Sequence, residues 1–90
     1  MSKQNNKKRK IRFNDQVIRL FSKSIKIGEL YPDMEFATAK LYNGVHCIFE
    51  TTSGYVIGQG NTYLHSRKSA MEFLNKTDGK FDQIVNFYKL

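Results

Sequence analysis

The sequence has a single cysteine, Cys47, and lacks any apolar run of the about 18 to 20 residues that a membrane-spanning helix needs. One cysteine excludes an internal disulfide framework. The basic start of the chain is not followed by the apolar segment of a signal peptide. We therefore expect a soluble protein of a reducing compartment: the cytoplasm, or the nucleus if the source is eukaryotic.

Acidic residues are absent from the first twelve positions, which hold six of the fifteen basic residues: Lys3, Lys7, Lys8, Arg9, Lys10 and Arg12. From Phe13 onward nine basic residues stand against eight acidic ones, which leaves +1 of the net charge of +7. Positions 2 to 10 also lack any apolar residue to bury. The sequence therefore predicts a flexible, disordered basic arm over residues 1–12, attached to one α+β globular domain over residues 13–90.

The first periodic segment, Asp15 to Ile27, has the apolar spacing of an amphipathic helix. Asn14 is a candidate N-cap and Gly28 a candidate stop. The spacing is carried by Val17, Ile18, Phe21 and Ile25. We expect a helix here.

Strand patterns follow at Met34 to Tyr42, Val45 to Thr52 and Tyr55 to about Leu64, separated by the turn signals Asn43-Gly44 and Ser53-Gly54. Gly58 and Gly60 indicate a bulge or a close backbone approach. A second helix begins near Ser66 and a short third one after Thr77 or Asp78. The predicted order is α-β-β-β-α-α, with a three-stranded antiparallel meander.

The sequence has no metal-ligand spacing, no phosphate-binding glycine loop and no nucleophile motif. His46 and Glu50 are expected on one face of a strand and Cys47 on the other, where a buried structural thiol is the simplest interpretation. We expect no enzyme activity, no catalytic residue, no metal and no cofactor.

Basic residues are the candidate contacts for a polyanion. Those of the arm are Lys7, Lys8, Arg9, Lys10 and Arg12; those on one stripe of the first helix are Arg19, Lys23 and Lys26; those at the start of the second helix are His65, Arg67 and Lys68. Solvated surface charge is the alternative for each group. The strand aromatics Tyr42, Phe49, Tyr55 and Tyr63 would either stack on unpaired bases or fill the core.

The predicted order, with Gly58-Gln59-Gly60 ahead of Ser66-Arg67-Lys68-Ser69-Ala70, resembles the double-stranded-RNA-binding domain over residues 14 to 75. That resemblance implies phosphate contacts by Arg67 and Lys68, and minor-groove contacts by Gln16, Arg19 and Lys23. Three strands followed by a serine-capped helix are also similar to small modules that lay a sheet in the DNA major groove, such as plant AP2-type and integrase arm-binding domains.

The leading hypothesis is a non-enzymatic module that binds the backbone of RNA or DNA, with duplex favoured over single strands. The alternative is a small phage or mobile-element protein that binds and inhibits a host protein or nucleoprotein. The oligomeric state is left open.

Overall fold

The described part of the chain starts with a long β-hairpin. The computed structural model describes residues 6 to 90, in which β1 (Asn6–Phe13) pairs antiparallel with β2 (Gln16–Ile25). Asn14 and Asp15 form the turn with φ of 52° and 62°. Asn and Asp tolerate this left-handed conformation, and a two-residue turn with both φ positive matches the twist of paired strands.

The chain then continues as a meander through β3 (Phe36–Lys40), β4 (His46–Glu50) and β5 (Val56–Gly60). The sheet has five antiparallel strands in the order β1-β2-β3-β4-β5. Two helices follow, α1 (Tyr63–Thr77) and α2 (Phe81–Phe87). No helix within residues 6 to 90 is long and apolar enough to cross a membrane.

The predicted fold class is wrong at its beginning: the sheet has five strands, and the helix predicted from Asp15 to Ile27 is the second half of the hairpin. The first helix that the double-stranded-RNA-binding resemblance implies is likewise a strand. The apolar residues of β2 also fit a period of two, which turns Ile18 and Leu20 inward opposite Ile11 and Arg9. The segment therefore fits a helix and a strand equally well, and its hydrogen bonds with β1 make it a strand.

The prediction of a disordered basic arm is also wrong for residues 6 to 12, because residues 6 to 13 form β1. Ile11 supplies the anchor, since it is fully buried in the core beneath the hairpin. Lys3 and the rest of residues 1–5 lie outside the described residues.

The sheet has an apolar core on each face. The helices cover one face, where Phe81 of α2 packs with Phe36 and Ile48. The hairpin bends over the other face, where Ile11 packs with Cys47 and Phe49. The curl brings β1 back to the turn before β5, and the Arg12 N–H donates to the Gly54 carbonyl at 2.8 Å.

Gly58 sets the depth at which α1 lies on the sheet. A Cβ at this position would come within 2.5 Å of the Ala70 nitrogen and the Ser66 carbonyl oxygen. The pairing of β4 with β5 also shifts here, with Phe49 opposite Val56 and Ile48 opposite Gly58. The expected bulge and close approach are thus both present.

Candidate nucleic-acid interface

The outward side of the hairpin is a cationic strand surface, and its position follows from register. Lys8 lies opposite Phe21, Lys10 opposite Arg19, and Arg12 opposite Val17. Residues directly opposite in an antiparallel pair share a face. We call this surface the hairpin face; its side chains are Lys8, Lys10, Arg12, Val17, Arg19, Phe21 and Lys23. It has five cations and no acidic residue, and the helices do not cover it.

Four of these cations project into solvent. The side chains of Lys8, Lys10, Arg19 and Lys23 are exposed, and within residues 6 to 90 they make no hydrogen bond or ion pair with the protein. Lys10 and Arg19 stand directly across from each other, an arrangement of like charges that destabilises a strand pair. A bound anion would relieve this repulsion.

Arg12 has a structural use on the same face. Its Nε donates to the Ser53 carbonyl at 3.1 Å and its Nη2 to the Tyr88 carbonyl at 2.9 Å. The guanidinium carbon also lies 5.2 Å from the centroid of the Tyr88 ring. Arg12 therefore joins β1 to the turn before β5 and to the end of α2, and it contributes charge rather than a free side chain.

Arg9 and Lys7, which were grouped with the arm, alternate onto the inward side of β1. The Arg9 guanidinium is buried, donates to the Ser22 hydroxyl and the Ser24 hydroxyl at 2.8 Å each, and lies 3.3 Å from a Glu35 carboxylate oxygen. Lys7 acts on the same carboxylate through charge. These two cations thus belong to the contact between the hairpin and β3 rather than to the hairpin face.

An exposed aromatic ring stands among the cations of the hairpin face. Phe21 is 68% exposed, and the Lys8 Nζ lies 5.4 Å from its ring centroid. Beside the ring is a shallow hollow of about 400 Å³ lined by Phe21, Ser22, Lys23 and Thr38. The helical interpretation placed Phe21 in the core, so sequence reasoning missed it as a surface residue.

The cationic surface continues from β2 across the next two strands. Lys40 lies opposite His46, and both line an open hollow of about 410 Å³ together with Lys23, Thr38 and Tyr63. Lys40 was not among the predicted contacts, although its place at the end of a strand pattern was available from the sequence. No acidic residue lines this hollow.

Arg67 and Lys26 meet at the far end of this surface. The Arg67 Nη1 donates to the Lys26 carbonyl at 2.8 Å and to the Tyr63 hydroxyl at 3.2 Å. Both residues line a cleft of about 520 Å³ with Tyr31, Met34 and Phe36. Arg19 and Lys23 share one face of β2, and Tyr63 links Lys23, with which it lines a hollow, to Arg67, which bonds its hydroxyl.

The second helix begins earlier than predicted, so Arg67 and Lys68 are not in its first turn. The N-cap is Thr62, whose hydroxyl accepts from the His65 N–H at 3.1 Å, so α1 begins three residues before Ser66. Arg67 and Lys68 consequently lie in the second turn, away from the helix end. His65 is exposed in the first turn, and Lys68 lies beside Leu64 and Glu72 on the outer side of α1.

The aromatics proposed for stacking divide between core and surface. Phe49 is fully buried, and Tyr55 contacts Phe73, Phe81 and Tyr88 in the helix-side core. Tyr63 is half-buried, whereas Tyr42 is exposed in the turn between β3 and β4. The sequence could not tell the core rings from the surface rings, because successive residues of a strand point to opposite faces. The register of strand pairing shows which face is covered.

The groups considered for catalysis are held in structural positions. Glu50 is buried and accepts from the Thr52 N–H, the Ser53 N–H and the Ser53 hydroxyl, so it shapes the turn that Arg12 contacts. His46 lies four residues away on the same strand, about 13 Å. Burial raises the pKa of the Cys47 thiol to about 11, so it is protonated at neutral pH. In the part of the chain that the structure describes, no group of three or more His, Cys, Asp or Glu is placed to hold a metal ion.

Comparisons of the chain with models of protein families, with curated proteins and with solved structures found no match.

Proposed function

We propose that this protein is a nucleic-acid-binding module whose contact surface is the hairpin face. The observation that carries the proposal is the group of four exposed cations, Lys8, Lys10, Arg19 and Lys23, on adjacent strands with no acidic residue among them. Two of them repel each other in the free protein. A polyanion backbone offers the charge that this arrangement lacks.

The shape of the surface also suits a nucleic acid. A two-stranded β-ribbon fits the major groove of DNA, and a sheet face with basic side chains can follow a single strand. The second core holds the hairpin against β3 and β4, so the strands that carry the cations are in position before binding. The module binds through a rigid strand surface, with backbone contacts outnumbering base contacts.

The test is a salt titration of oligonucleotide binding with charge-matched variants. The hairpin variant replaces Lys10, Arg19 and Lys23 with Gln, and its control replaces Lys76, Lys80 and Lys89, which are exposed on or beside the helices, with Gln. Both lose three charges. The slope of log affinity against log salt should become less steep by about 2 to 3 in the hairpin variant, since each phosphate contact contributes about −0.7 to −0.9.

The control should keep a slope close to that of the wild type. Equal losses in both variants would reduce the effect to net charge and contradict the proposed surface. Absence of binding to single strands and to duplex RNA or DNA at low salt would overturn the function itself.

A protein partner is the second candidate, and one observation favours it. Leu64 and Met71 on α1 and Leu30 in the loop between β2 and β3 expose apolar surface around two adjoining hollows. This patch lies on the outer side of α1 and shares no residue with the hairpin face. A purified complex that survives nuclease and dissociates on Leu64→Gln with Met71→Gln would support it, whereas a complex that nuclease disrupts would favour nucleic acid.

A further inference from the structure

Phe21 and Val17 are the uncharged residues of the hairpin face, and Phe21 is the larger and the more exposed of the two. Its ring is 68% exposed, whereas Phe87, another exposed phenyl ring, lies against Tyr88 with the two ring centroids 4.9 Å apart. Within residues 6 to 90 Phe21 has no aromatic partner. An exposed phenyl ring on a rigid strand costs solvation and supplies nothing to the core.

The surroundings of Phe21 limit what could cover it. The Lys8 ammonium group lies 5.4 Å from the ring centroid, and Lys23 is the next residue but one on the same face of β2. The hollow beside the ring is also lined by Thr38 of the neighbouring strand β3. Only Val17 adds an exposed apolar side chain to the face. A flat apolar group joined to negative charge fits this pattern better than an extended apolar surface does.

We propose that Phe21 is a stacking platform for an unpaired base, so that the hairpin face binds single-stranded nucleic acid in preference to duplex; this rests on the proposed function. The base lies on the Phe21 ring, and the flanking phosphates contact Lys8 and Lys23. In a duplex the base faces are hidden in the stack, and Phe21 could reach only base edges, sugar and phosphate. This proposal is the opposite of the expectation from the sequence, which favoured duplex over single strands.

The protein contains no tryptophan, so a single introduced tryptophan can report binding at its own position. Phe21→Trp creates a single fluorophore in the hairpin face, and Phe87→Trp, at a site that is 80% exposed on α2, is the matched control. The probe is an oligothymidylate of about 16 nucleotides, long enough to span a typical single-strand site. Its binding should quench the tryptophan at position 21 and leave the one at position 87 unchanged.

Affinity measurements separate stacking from simple apolar contact. Phe21→Ala should weaken single-strand binding about 5- to 150-fold and duplex binding less than twofold. Phe21→Leu keeps apolar area but loses the aromatic face, so it should behave like the alanine variant. Full affinity in Phe21→Leu, or a loss of duplex binding as large as that of single-strand binding, would overturn the stacking role.

The two proposals can fail separately. If Phe21→Ala binds single strands like the wild type while the Lys10, Arg19 and Lys23 variant does not, stacking is overturned and the cationic interface stands. If neither oligonucleotide binds the wild type, both are overturned. Binding of anionic phospholipid vesicles with a blue shift at position 21, without oligonucleotide binding, would assign the face to a membrane surface and also overturn the inference.

Discussion

At the scale of single residues, the like-charge pair of Lys10 and Arg19 should have opposite effects on stability and on binding. Lys10→Glu converts a repulsive cross-strand pair into an attractive one, so the free energy of unfolding should rise by about 0.5 kcal/mol at low salt. The same change places negative charge in the hairpin face and should weaken oligonucleotide binding. Urea unfolding and binding titrations on the same variant measure both effects.

High salt should reduce the stabilisation, because both side chains are exposed. The control is the double variant Lys10→Glu with Arg19→Glu, which restores a like-charge pair and should return the stability toward that of the wild type. A less stable Lys10→Glu would show that the two side chains do not interact across the strands.

The free energy of unfolding should depend on pH through Glu35, which joins the hairpin to β3. Hydrogen bonds from Ser24 and Thr51, and the charges of Arg9 and Lys7, lower the pKa of this carboxyl below its ordinary value of 4.5, with the Ser24 bond the largest cause. A carboxyl whose pKa is lower in the folded state adds stability above its unfolded pKa and loses it as pH falls through the folded one. Urea unfolding should show the wild type losing stability below about pH 5 faster than Glu35→Gln. Parallel curves for the two proteins across this range would contradict it.

At the scale of elements, the second half of the fold could be predicted and the first half could not. Asn43-Gly44 and Ser53-Gly54 mark their turns locally, and the apolar stripe of α2 places Phe81 and Val85 inward, where both are buried. The pattern from Val17 to Ile25 fits two periods, and only pairing with β1 decides between them. That pairing depends on residues far apart in the chain.

Strand β1 could not be predicted from the sequence because of its composition. Five of its eight residues are Lys or Arg, a composition typical of disorder. The Arg9 bonds to Ser22, Ser24 and Glu35 reach up to 26 positions along the chain, and no local rule anticipates them. The cations of the candidate site were therefore named from the sequence, but their common face, and Phe21 within it, required the register.

At the scale of the whole molecule, Arg12 connects the hairpin to the end of the chain. Its guanidinium joins the Ser53 and Tyr88 carbonyls, and the Leu90 N–H donates to the Thr52 carbonyl beside them. Arg12→Lys keeps the charge but loses the planar pair of donors. The free energy of unfolding should fall by about 2 kcal/mol, since hydrogen bonds from a charged donor contribute about 1.5 to 3 kcal/mol.

Arg12→Lys should nevertheless bind oligonucleotides with the same salt slope as the wild type, because the hairpin face keeps its charge and Arg12 is already engaged with the protein. Lys10→Glu should do the opposite, gaining stability and losing affinity. Together the two variants assign the cations of one strand to different tasks: Arg12 closes the fold, and Lys10 is available to a ligand. If Arg12→Lys left the free energy of unfolding unchanged, the guanidinium bonds would not close the fold, and its closure would rest on the backbone bonds from Arg12 to Gly54 and from Leu90 to Thr52.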